Sequence, residues 1–382
     1  MTNTLTVLMP KILARVLPVL RNQCVMPNLV YKGHERDKKQ KGQTVTIPLS
    51  AALTVGDVSP SQYGPDPSAL TPTSVNLTLN KWRNVNFYAT DKELEEVDAD
   101  QNFIPSELEE GIAALANDVN SYILGLYPGI YGYVGTAGTT PFQTNARAIT
   151  SAKKVLNQQK CPNAERFAVL DNSAAEEVLN LSSFADASQT GENKVKIEGE
   201  MGRKYGFNFF EDNQVVSHTA GSDAGAATIN TSTVEPVGET SLSVKAVGGT
   251  LALLAGDIIT IAGDTQTYAV YANVSITSGN TGTVVVSPGL KVATSGDEAI
   301  TIKSSHVVNM AFNRNAIAFA SAPMDDKWMK ESGAIMTQMA DPLTGIVLRL
   351  ELKRQNKRVV WELDILYGAA LIQAERACRI AG

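Results

Sequence analysis

The first ninety residues contain segments in which apolar and polar positions alternate. Residues 43–49, 75–79 and 82–88 show this period of two, which predicts β-strands. Between the first two segments, residues 53–72 carry four prolines and two glycines. Proline fixes φ and removes a backbone donor, so this segment cannot be helical and is a poor central strand. We predict a long hairpin with an irregular tip. Because an isolated two-stranded ribbon is marginal in water, we expect a neighbouring subunit to support it.

A helical period follows and predicts the clearest helix of the chain, over residues 106–126. Ser106 and Glu109 form a capping box, since each side chain can satisfy a free amide at the helix start. Apolar residues then recur every three or four positions in one stripe, and Pro128 ends the pattern. The stripe consists of Leu108, Ile112, Leu115, Val119, Tyr122 and Leu126.

The middle of the chain mixes helical and strand patterns. Residues 145–159 are predicted as a second helix and residues 166–170 as a buried strand. Ser173 is expected to cap a further helix that runs to residue 181. The glycines of residues 129–138 recur every third position without the setting of a dinucleotide loop, so we interpret them as a flexible connector.

The C-terminal part returns to strand character. Residues 307–319 are strand-like, and the methionines at 324, 336 and 339 indicate a Met-rich loop. Residues 346–366 are predicted as a hairpin that turns at Gln355-Asn356. With a two-residue loop, Leu350 faces Trp361, Leu348 faces Leu363 and Arg349 faces Glu362. Apolar pairs then fall on one side and an ion pair on the other.

The composition shifts between residues 214 and 290. These 77 residues hold one basic residue, Lys245, and five acids, with abundant Thr, Val, Ala and Gly. Short strand patterns separated by glycine turns predict a small all-β barrel or sandwich, which we interpret as an inserted domain over residues 218–305. The predicted strands are residues 242–247, 257–261, 266–271, 283–287 and 299–302.

The N-terminal 40 residues are interpreted as an amphipathic arm. Charges and prolines interrupt its apolar stretch, so it cannot span a membrane, and we expect it to contact a protein partner. The arm ends in a basic run, which is most simply a solvated loop. The alternative is an inward-facing contact for DNA or for an acidic partner. The run consists of Lys32, Arg36, Lys38, Lys39 and Lys41.

Net charge and motifs limit the chemistry. The charge of −6 argues against a broad basic face that grips nucleic acid. The three cysteines form no CxxC pair, which favours a reducing cytoplasm and inert thiols. His34, His218 and His306 lack ligand spacing and are expected to be exposed or hydrogen-bonded loop residues. The acid-rich residues 91–100 lack the EF-hand spacing and indicate a solvated helix or turn. We predict no catalytic, metal or cofactor-binding residue, no cofactor, and no enzyme.

The order of these elements resembles a known family. An apolar arm, a Pro-rich hairpin, the helix SELEEGIAALANDVNSYILGL and a mixed domain interrupted by a β insertion are similar to the major capsid protein of tailed bacteriophages, with the Hong Kong 97-type fold. The most similar branch is the coat protein of short-tailed Salmonella phages. The resemblance rests on residues 199–221, on LAGDIITIAG and VVVSPGL inside the insertion, on residues 306–324, and on the C-terminal WELDILYGAALIQAERACRIAG.

The resemblance implies an α+β capsid subunit with a division of labour. Its ranges are an N-terminal arm (1–40), an extended hairpin loop (41–90), a peripheral domain with a spine helix (91–160, spine 106–126), an axial domain with the remaining core (161–217 and 306–382) and an inserted β-domain (218–305). It also implies homo-oligomers of pentamers and hexamers, with scaffolding and portal proteins as partners. The expected product is a virion shell that is assembled in the bacterial cytoplasm and encloses double-stranded DNA without sequence-specific binding.

Two other functions stay open at this stage. A phage tail or adhesin protein would use the β-rich insertion as a binding module, and exposed aromatic clusters there would favour it. The insertion offers only Tyr268 and Tyr271. A hydrolase would assemble its site from scattered acids, which sequence alone cannot pair in space.

Overall fold

The computed structural model describes residues 13–14, 17–21, 23–33, 44–49, 55, 72–92, 106–185, 199, 201–223, 227–229, 233–324 and 335–382. Most of the predicted hairpin tip and the acidic run after Lys92 lie outside these residues. The chain divides into two compact units. The first comprises residues 1–14, 32–104 and 318–372, and the second comprises residues 15–31, 105–317 and 373–382.

The helices and strands are labelled in chain order. The helices are α1 (Met26–Leu29), α2 (Ser106–Leu124), α3 (Arg147–Gln158), α4 (Asn172–Asn180) and α5 (Ser182–Ala185). The strands are β1 (Thr44–Leu49), β2 (Thr73–Thr78), β3 (Lys81–Thr90), β4 (Gly132–Gly135), β5 (Arg166–Leu170), β6 (Arg203–Lys204), β7 (Phe207–Glu211), β8 (Ser217–His218), β9 (Ser222–Asp223), β10 (Ala227–Ile229), β11 (Ser241–Ala246), β12 (Leu251–Leu253), β13 (Ile258–Ile261), β14 (Thr267–Val270), β15 (Val274–Ile276), β16 (Thr281–Ser287), β17 (Ala299–Ile302), β18 (His306–Asn313), β19 (Ile317–Ser321), β20 (Ile335–Ala340), β21 (Val347–Gln355), β22 (Arg358–Leu371) and β23 (Ala377–Ala381). Short 3-10 helices cover Tyr127–Gly129, Arg314–Ala316 and Ala374–Arg376. Among the described residues, no helix is long and apolar enough to cross a bilayer.

The first unit contains a five-stranded sheet and a two-stranded ribbon. The sheet order is β19-β22-β21-β20, and β3 also pairs with β22. The ribbon is the predicted hairpin, with β1 antiparallel to β2. Val45, Ile47 and Leu77 of the ribbon are buried against apolar residues of β19 and β22. The expectation of support from a neighbouring subunit is therefore wrong for these strands, because the same chain covers their apolar side chains.

The C-terminal hairpin has a different register from the predicted one. Its turn is Asn356-Lys357, both with positive φ, and Leu350 pairs with Leu363 rather than with Trp361. Two-residue turns that match the strand twist require positive φ at both positions, which Asn tolerates well. Moving the turn by one residue moves the register by two. The predicted faces are consequently kept, but Arg349 pairs with Asp364 instead of Glu362.

Two further expectations about the first unit need correction. The methionines at 336 and 339 lie in strand β20, which pairs with β21, and not in a loop. Residues 306–382 are shared between two sheets. Strands β18 and β23 belong to the seven-stranded sheet of the second unit, whereas β19 to β22 belong to the five-stranded sheet. Strand β3 lies within the predicted hairpin range, but it pairs with β22 and not with the ribbon.

In the second unit, the N-terminal segment packs against helix α2. Met26 N donates to Asn120 Oδ1 (3.2 Å), and Asn120 Nδ2 donates to Gln23 O (2.8 Å). The apolar side chains of this segment are buried, namely Leu17, Leu20, Cys24, Met26, Leu29 and Val30. These described residues are thus part of the subunit's own core, and the expectation that the arm contacts a partner is wrong for them.

Helix α2 confirms the predicted helix and its apolar stripe. The first four positions of the stripe, Leu108 to Val119, are buried, but the stripe continues at Ile123 rather than at Tyr122. The seven-stranded sheet has the order β4-β23-β18-β5-β7-β6, with β8 also paired to β18. Helices α3 and α4 pack on it through their apolar faces. Asp171, not Ser173, caps α4, because its carboxylate accepts the Ser173 and Ala174 amides.

The glycine-rich residues 129–138 do not form a flexible connector. Residues 132–135 form strand β4, which pairs parallel to β23. A Cβ on Gly132 would lie 3.0 Å from Ala377 O and 3.2 Å from Cys378 Cα. Glycine is therefore required here because the two backbones approach closely.

The insertion forms a ring of six strands, ordered β10-β11-β16-β14-β13-β17. Strand β10 pairs with both β11 and β17, so the ring closes on itself. Strands β15, β12 and β9 form a small sheet. Apolar side chains that alternate along the strands fill the core, including Val244, Ile259 and Val284. Five of these strands were predicted. Strands β12 and β15 were missed, because three residues are too short to show a period.

Candidate functional site at the root of the β-ring

Two strands bring two histidines together where the chain enters and leaves the ring. In the antiparallel pair of β8 and β18, His218 lies opposite His306, and the ring is built from the residues between them. The centroids of the two imidazoles are 5.4 Å apart, and the two residues are only 3% and 4% exposed. The expectation of exposed or hydrogen-bonded loop residues is confirmed for the hydrogen bonds of both histidines, but it is wrong for their place, because both are buried in paired strands.

The carboxylate of Asp257, in the turn before β13, is the centre of this arrangement. It is fully buried and accepts hydrogen bonds from His218 Nε2 (2.9 Å), Gly221 N (3.0 Å) and Leu254 N (2.6 Å). A buried carboxylate costs free energy unless its oxygens are hydrogen-bonded, and here three donors meet that need. His218 Nδ1 lies 3.0 Å from the hydroxyl of Tyr127, so the imidazole links the turn before β13 to the 3-10 helix Tyr127–Gly129.

Arg379 of β23 supplies the positive charge. Its guanidinium is fully buried and donates from Nη1 to Gly256 O (2.7 Å) and from Nη2 to Pro128 O (3.1 Å). It also lies over the ring of Tyr127, 5.0 Å from the centroid. Burial lowers the pKa of Arg379 to about 10, so the side chain stays charged at neutral pH. We call Tyr127, His218, Asp257, His306 and Arg379 the root cluster.

The turn that carries Asp257 sits directly on the 3-10 helix. Gly256 has φ +95°, and a Cβ there would lie 3.2 Å from Pro128 Cα. Thr267 Oγ1 of β14 donates to Tyr131 O (2.7 Å), and Ile258 and Tyr131 share a small apolar cluster with Ala269. Polar and apolar contacts together therefore dock the ring on the strands of the second unit.

The chemistry of the root cluster is that of a structural tie. Its carboxylate already accepts three hydrogen bonds, and it is closed to solvent. Burial raises the pKa of the neighbouring thiol, Cys378, to about 12, which leaves it protonated and unreactive. Within the described parts of the chain, no group of His, Cys, Asp and Glu side chains could hold a metal ion. All three cysteines are buried free thiols, as expected.

The predicted basic run is described only at its first residue. Lys32 Nζ donates to the carbonyl of Leu343. The remaining four, Arg36, Lys38, Lys39 and Lys41, lie outside the described residues, as does His34. The role of the set as a contact surface therefore stays a prediction.

Sequence reasoning missed the root cluster, although two signals for it were present. His218 and His306 bracket the stretch of altered composition, at the two positions where an insertion would meet its host. Arg379 is a charged residue inside the apolar run ACRIA, and such a residue needs buried partners. The third partner, Asp257, could not be assigned, because its contacts depend on how the ring folds.

Comparison with known proteins rests on structure. No family model matches the chain, and no curated protein does. A chain from Mycobacterium phage Che8 superposes with a TM-score of 0.52 at 15% identity, over 93% of this chain and 90% of that one. The capsid structure of Cyanophage P-SCSP1u gives 0.48 at 11% identity over 90% and 84%, and the mature capsid of bacteriophage PhiM1 gives 0.46 at 9% over 92% and 87%.

The likeness to the Che8 chain spans nearly the whole of both chains. This chain has the α+β Hong Kong 97-like capsid fold. At 15% identity the likeness establishes the fold alone. Within that fold, the root cluster lies where the β-ring joins the seven-stranded sheet.

Proposed function

We propose that this protein is the major capsid protein of a tailed bacteriophage and assembles into an icosahedral shell. The observation that carries the proposal is the fold likeness to the phage Che8 chain, because it extends over 93% of this chain and leaves little sequence for another function. The character of the root cluster agrees with a structural role. Its carboxylate and guanidinium form hydrogen bonds that hold the fold, and its buried side chains present no reactive group to solvent.

We assign the parts of the subunit as the resemblance implies. The residues between β1 and β2 form the extended loop over a neighbouring subunit, α2 is the spine of the peripheral domain, and the seven-stranded sheet forms the axial domain. Burial of Val45 and Leu77 supports this division, since it anchors the base of the ribbon in its own subunit. The N-terminal arm is restricted to the residues before position 17.

The partners follow from the same role. Copies of the chain form pentamers and hexamers, with scaffolding and portal proteins in the assembling particle, and the finished virion encloses double-stranded DNA. The net charge of −6 supports enclosure rather than tight binding. Within this proposal, Lys32, Arg36, Lys38, Lys39 and Lys41 are inner-surface contacts for DNA or for an acidic partner.

The finer assignment is to the branch of the short-tailed Salmonella phages, whose coat protein carries an inserted β-domain. The support for it is the position of the six-stranded ring, which lies between two paired strands of the host sheet, β8 and β18. A chain that leaves and re-enters a sheet at adjacent strands can accept an extra domain without changing the sheet.

A carbohydrate-binding tail or adhesin protein is less well supported. Such modules stack sugars on exposed aromatic side chains. Tyr268 is fully buried in the ring core, and Tyr271, 72% exposed, is the one exposed aromatic residue among the described part of the insertion. A single ring does not make a stacking platform.

Electron microscopy tests the proposal. The chain is expressed alone and together with the genes that flank it, and the products are imaged after sedimentation. We expect closed shells in at least one mixture. Tubes or free rings in every mixture would favour a tail protein, and a monomer at every concentration would contradict the assembly role.

Two variants separate assembly from folding. Deleting residues 1–12 leaves every described side chain in place, so we expect a folded subunit with impaired assembly. Deleting residues 1–30 also removes seven buried apolar side chains, including Leu20 and Met26, and should prevent folding. Circular dichroism reports the fold of both variants, and normal shells from the shorter deletion would contradict the role of the arm.

A further inference from the structure

One imidazole nitrogen of His306 forms a hydrogen bond, and the other has no partner among the described residues. Nδ1 lies 2.9 Å from the carbonyl oxygen of Ser304, which can only accept, so Nδ1 carries the proton of the neutral ring. Nε2 is buried and has no hydrogen-bond partner among the residues that the structure describes. In the neutral histidine this atom is a bare lone pair, which costs far less to bury than an unpaired N–H or a charge.

The groups around His306 come from four elements and do not offer an acceptor for a second proton. Arg379 of β23 is a cation, and His218 of β8 is a second imidazole. Tyr133 of β4 presents its ring edge-on, with centroids 5.2 Å apart. Asp257, before β13, is the one anion among these groups, and its oxygens already accept three hydrogen bonds.

Charge balance leads to the same conclusion. With neutral histidines, the root cluster holds one guanidinium and one carboxylate, which compensate each other. A proton on His306 would add a second positive charge beside Arg379 in a site closed to solvent. Opening the site to water would solvate this charge and lower its free energy, and the opening would occur where the β-ring meets the seven-stranded sheet.

We propose that His306 is an acid-sensitive latch: its neutral imidazole keeps the ring docked on the seven-stranded sheet, and its protonation undocks the ring while ring and sheet keep their own folds. The core of the β-ring supports the expectation that the ring keeps its fold when it undocks. The apolar cluster that contains Leu242, Tyr268 and Val284 consists of residues of the insertion. The inference does not rest on the proposed capsid role.

The direction of the pKa agrees with this latch. Burial holds the pKa of His306 below its ordinary value of 6.5. Its bond to the Ser304 carbonyl opposes the effect, Arg379 and His218 add to it, and Asp257 opposes it. Because the docked state has the lower pKa, its stability is complete above about pH 6.5 and is lost as the pH falls toward the docked-state pKa.

Hydrogen exchange of the full-length protein tests the latch. Protection factors are measured between about pH 7.5 and pH 5, with each rate divided by the intrinsic rate at that pH. We expect the amides of residues 217–221, 254–258 and 304–308 to lose protection by up to about tenfold per pH unit below pH 6.5, since one proton is linked to opening. Amides of β11 and β16 inside the ring should keep theirs.

Three variants make the test specific. His306→Phe keeps an aromatic ring beside Tyr133 but cannot be protonated, so its protection should not change with pH; His306→Gln serves the same purpose if the phenylalanine variant does not fold. His34→Gln, at the remaining histidine, should respond as the wild type does. Constant protection in the wild type would overturn the proposal, and so would an unchanged response in both His306 variants.

Discussion

Replacement of Asp257 is the most informative perturbation of the root cluster. Asp257→Ala leaves three buried donors, His218 Nε2, Gly221 N and Leu254 N, without their acceptor. Each unsatisfied buried group costs about 1–3 kcal/mol. With partial relaxation of the turn, we expect a loss of about 3–5 kcal/mol in the free energy of opening at the root. The loss of charge balance with Arg379 acts in the same direction.

Asp257→Asn should cost less free energy than Asp257→Ala, because the asparagine side chain can keep hydrogen bonds at this position. The amide oxygen can still accept from Gly221 N and Leu254 N, while the amide nitrogen faces His218 Nε2. The imidazole can then change tautomer, accept at Nε2, and donate from Nδ1 to the Tyr127 oxygen. We expect a cost of about 1–2 kcal/mol, because only the negative charge and the present geometry of the hydrogen bond to His218 are lost.

Hydrogen exchange at the amides of residues 217–223 and 251–261 measures these costs. Since about 1.4 kcal/mol is a factor of ten, Asp257→Ala should accelerate exchange by roughly two to four orders of magnitude and Asp257→Asn by roughly one. Glu211→Ala removes an exposed carboxylate of β7 and should change it little, by at most about 0.5 kcal/mol. Equal effects of the two Asp257 variants, or a loss below about 1 kcal/mol for alanine, would refute the reasoning.

Two further predictions concern buried contacts in the two sheets. Arg349 and Asp364 form a buried ion pair (Nε to Oδ1, 2.8 Å), so Arg349→Met alone should cost about 3–5 kcal/mol by urea denaturation followed through tryptophan fluorescence. The double variant with Asp364→Leu should regain at least half of that loss, and failure to regain any would show that the charges themselves stabilise the sheet. Gly132→Ala places a Cβ 3.0 Å from Ala377 O and should destabilise the seven-stranded sheet by about 1–3 kcal/mol. A thermal midpoint equal to that of the wild type would mean that β4 and β23 can separate without cost.

Local patterns predicted the elements of this fold well. The stripe of α2, the β1–β2 hairpin and five strands of the ring all follow from periods of three to four or of two residues, which a single segment displays by itself. Expectations failed where a longer-range contact decides. The glycines of β4 look like a connector until β23 lies against them, and the register of β21 and β22 depends on which two residues adopt positive φ.

The root cluster was beyond sequence reasoning for a related physical reason. Its members come from five places in the chain, and apart from Arg379 in its apolar run each looks ordinary alone: a lone histidine, a turn aspartate, a tyrosine before a proline. Only folding makes them neighbours. The basic run shows the converse, since a pattern that is conspicuous in the sequence, Lys32 to Lys41, lies mostly outside the described residues and stays a prediction.

The pairing of β8 with β18 makes the insertion exchangeable. The chain leaves the sheet at His218 and returns at His306, which are register partners, so the two ends of any substitute domain need to lie only about 5 Å apart. A foreign hairpin or small domain with adjacent termini could be grafted there for display. Such a graft would leave His218 Nε2 without the Asp257 carboxylate and Arg379 Nη1 without the Gly256 carbonyl, so a workable chimera should bring acceptors of its own or carry apolar residues at both host positions.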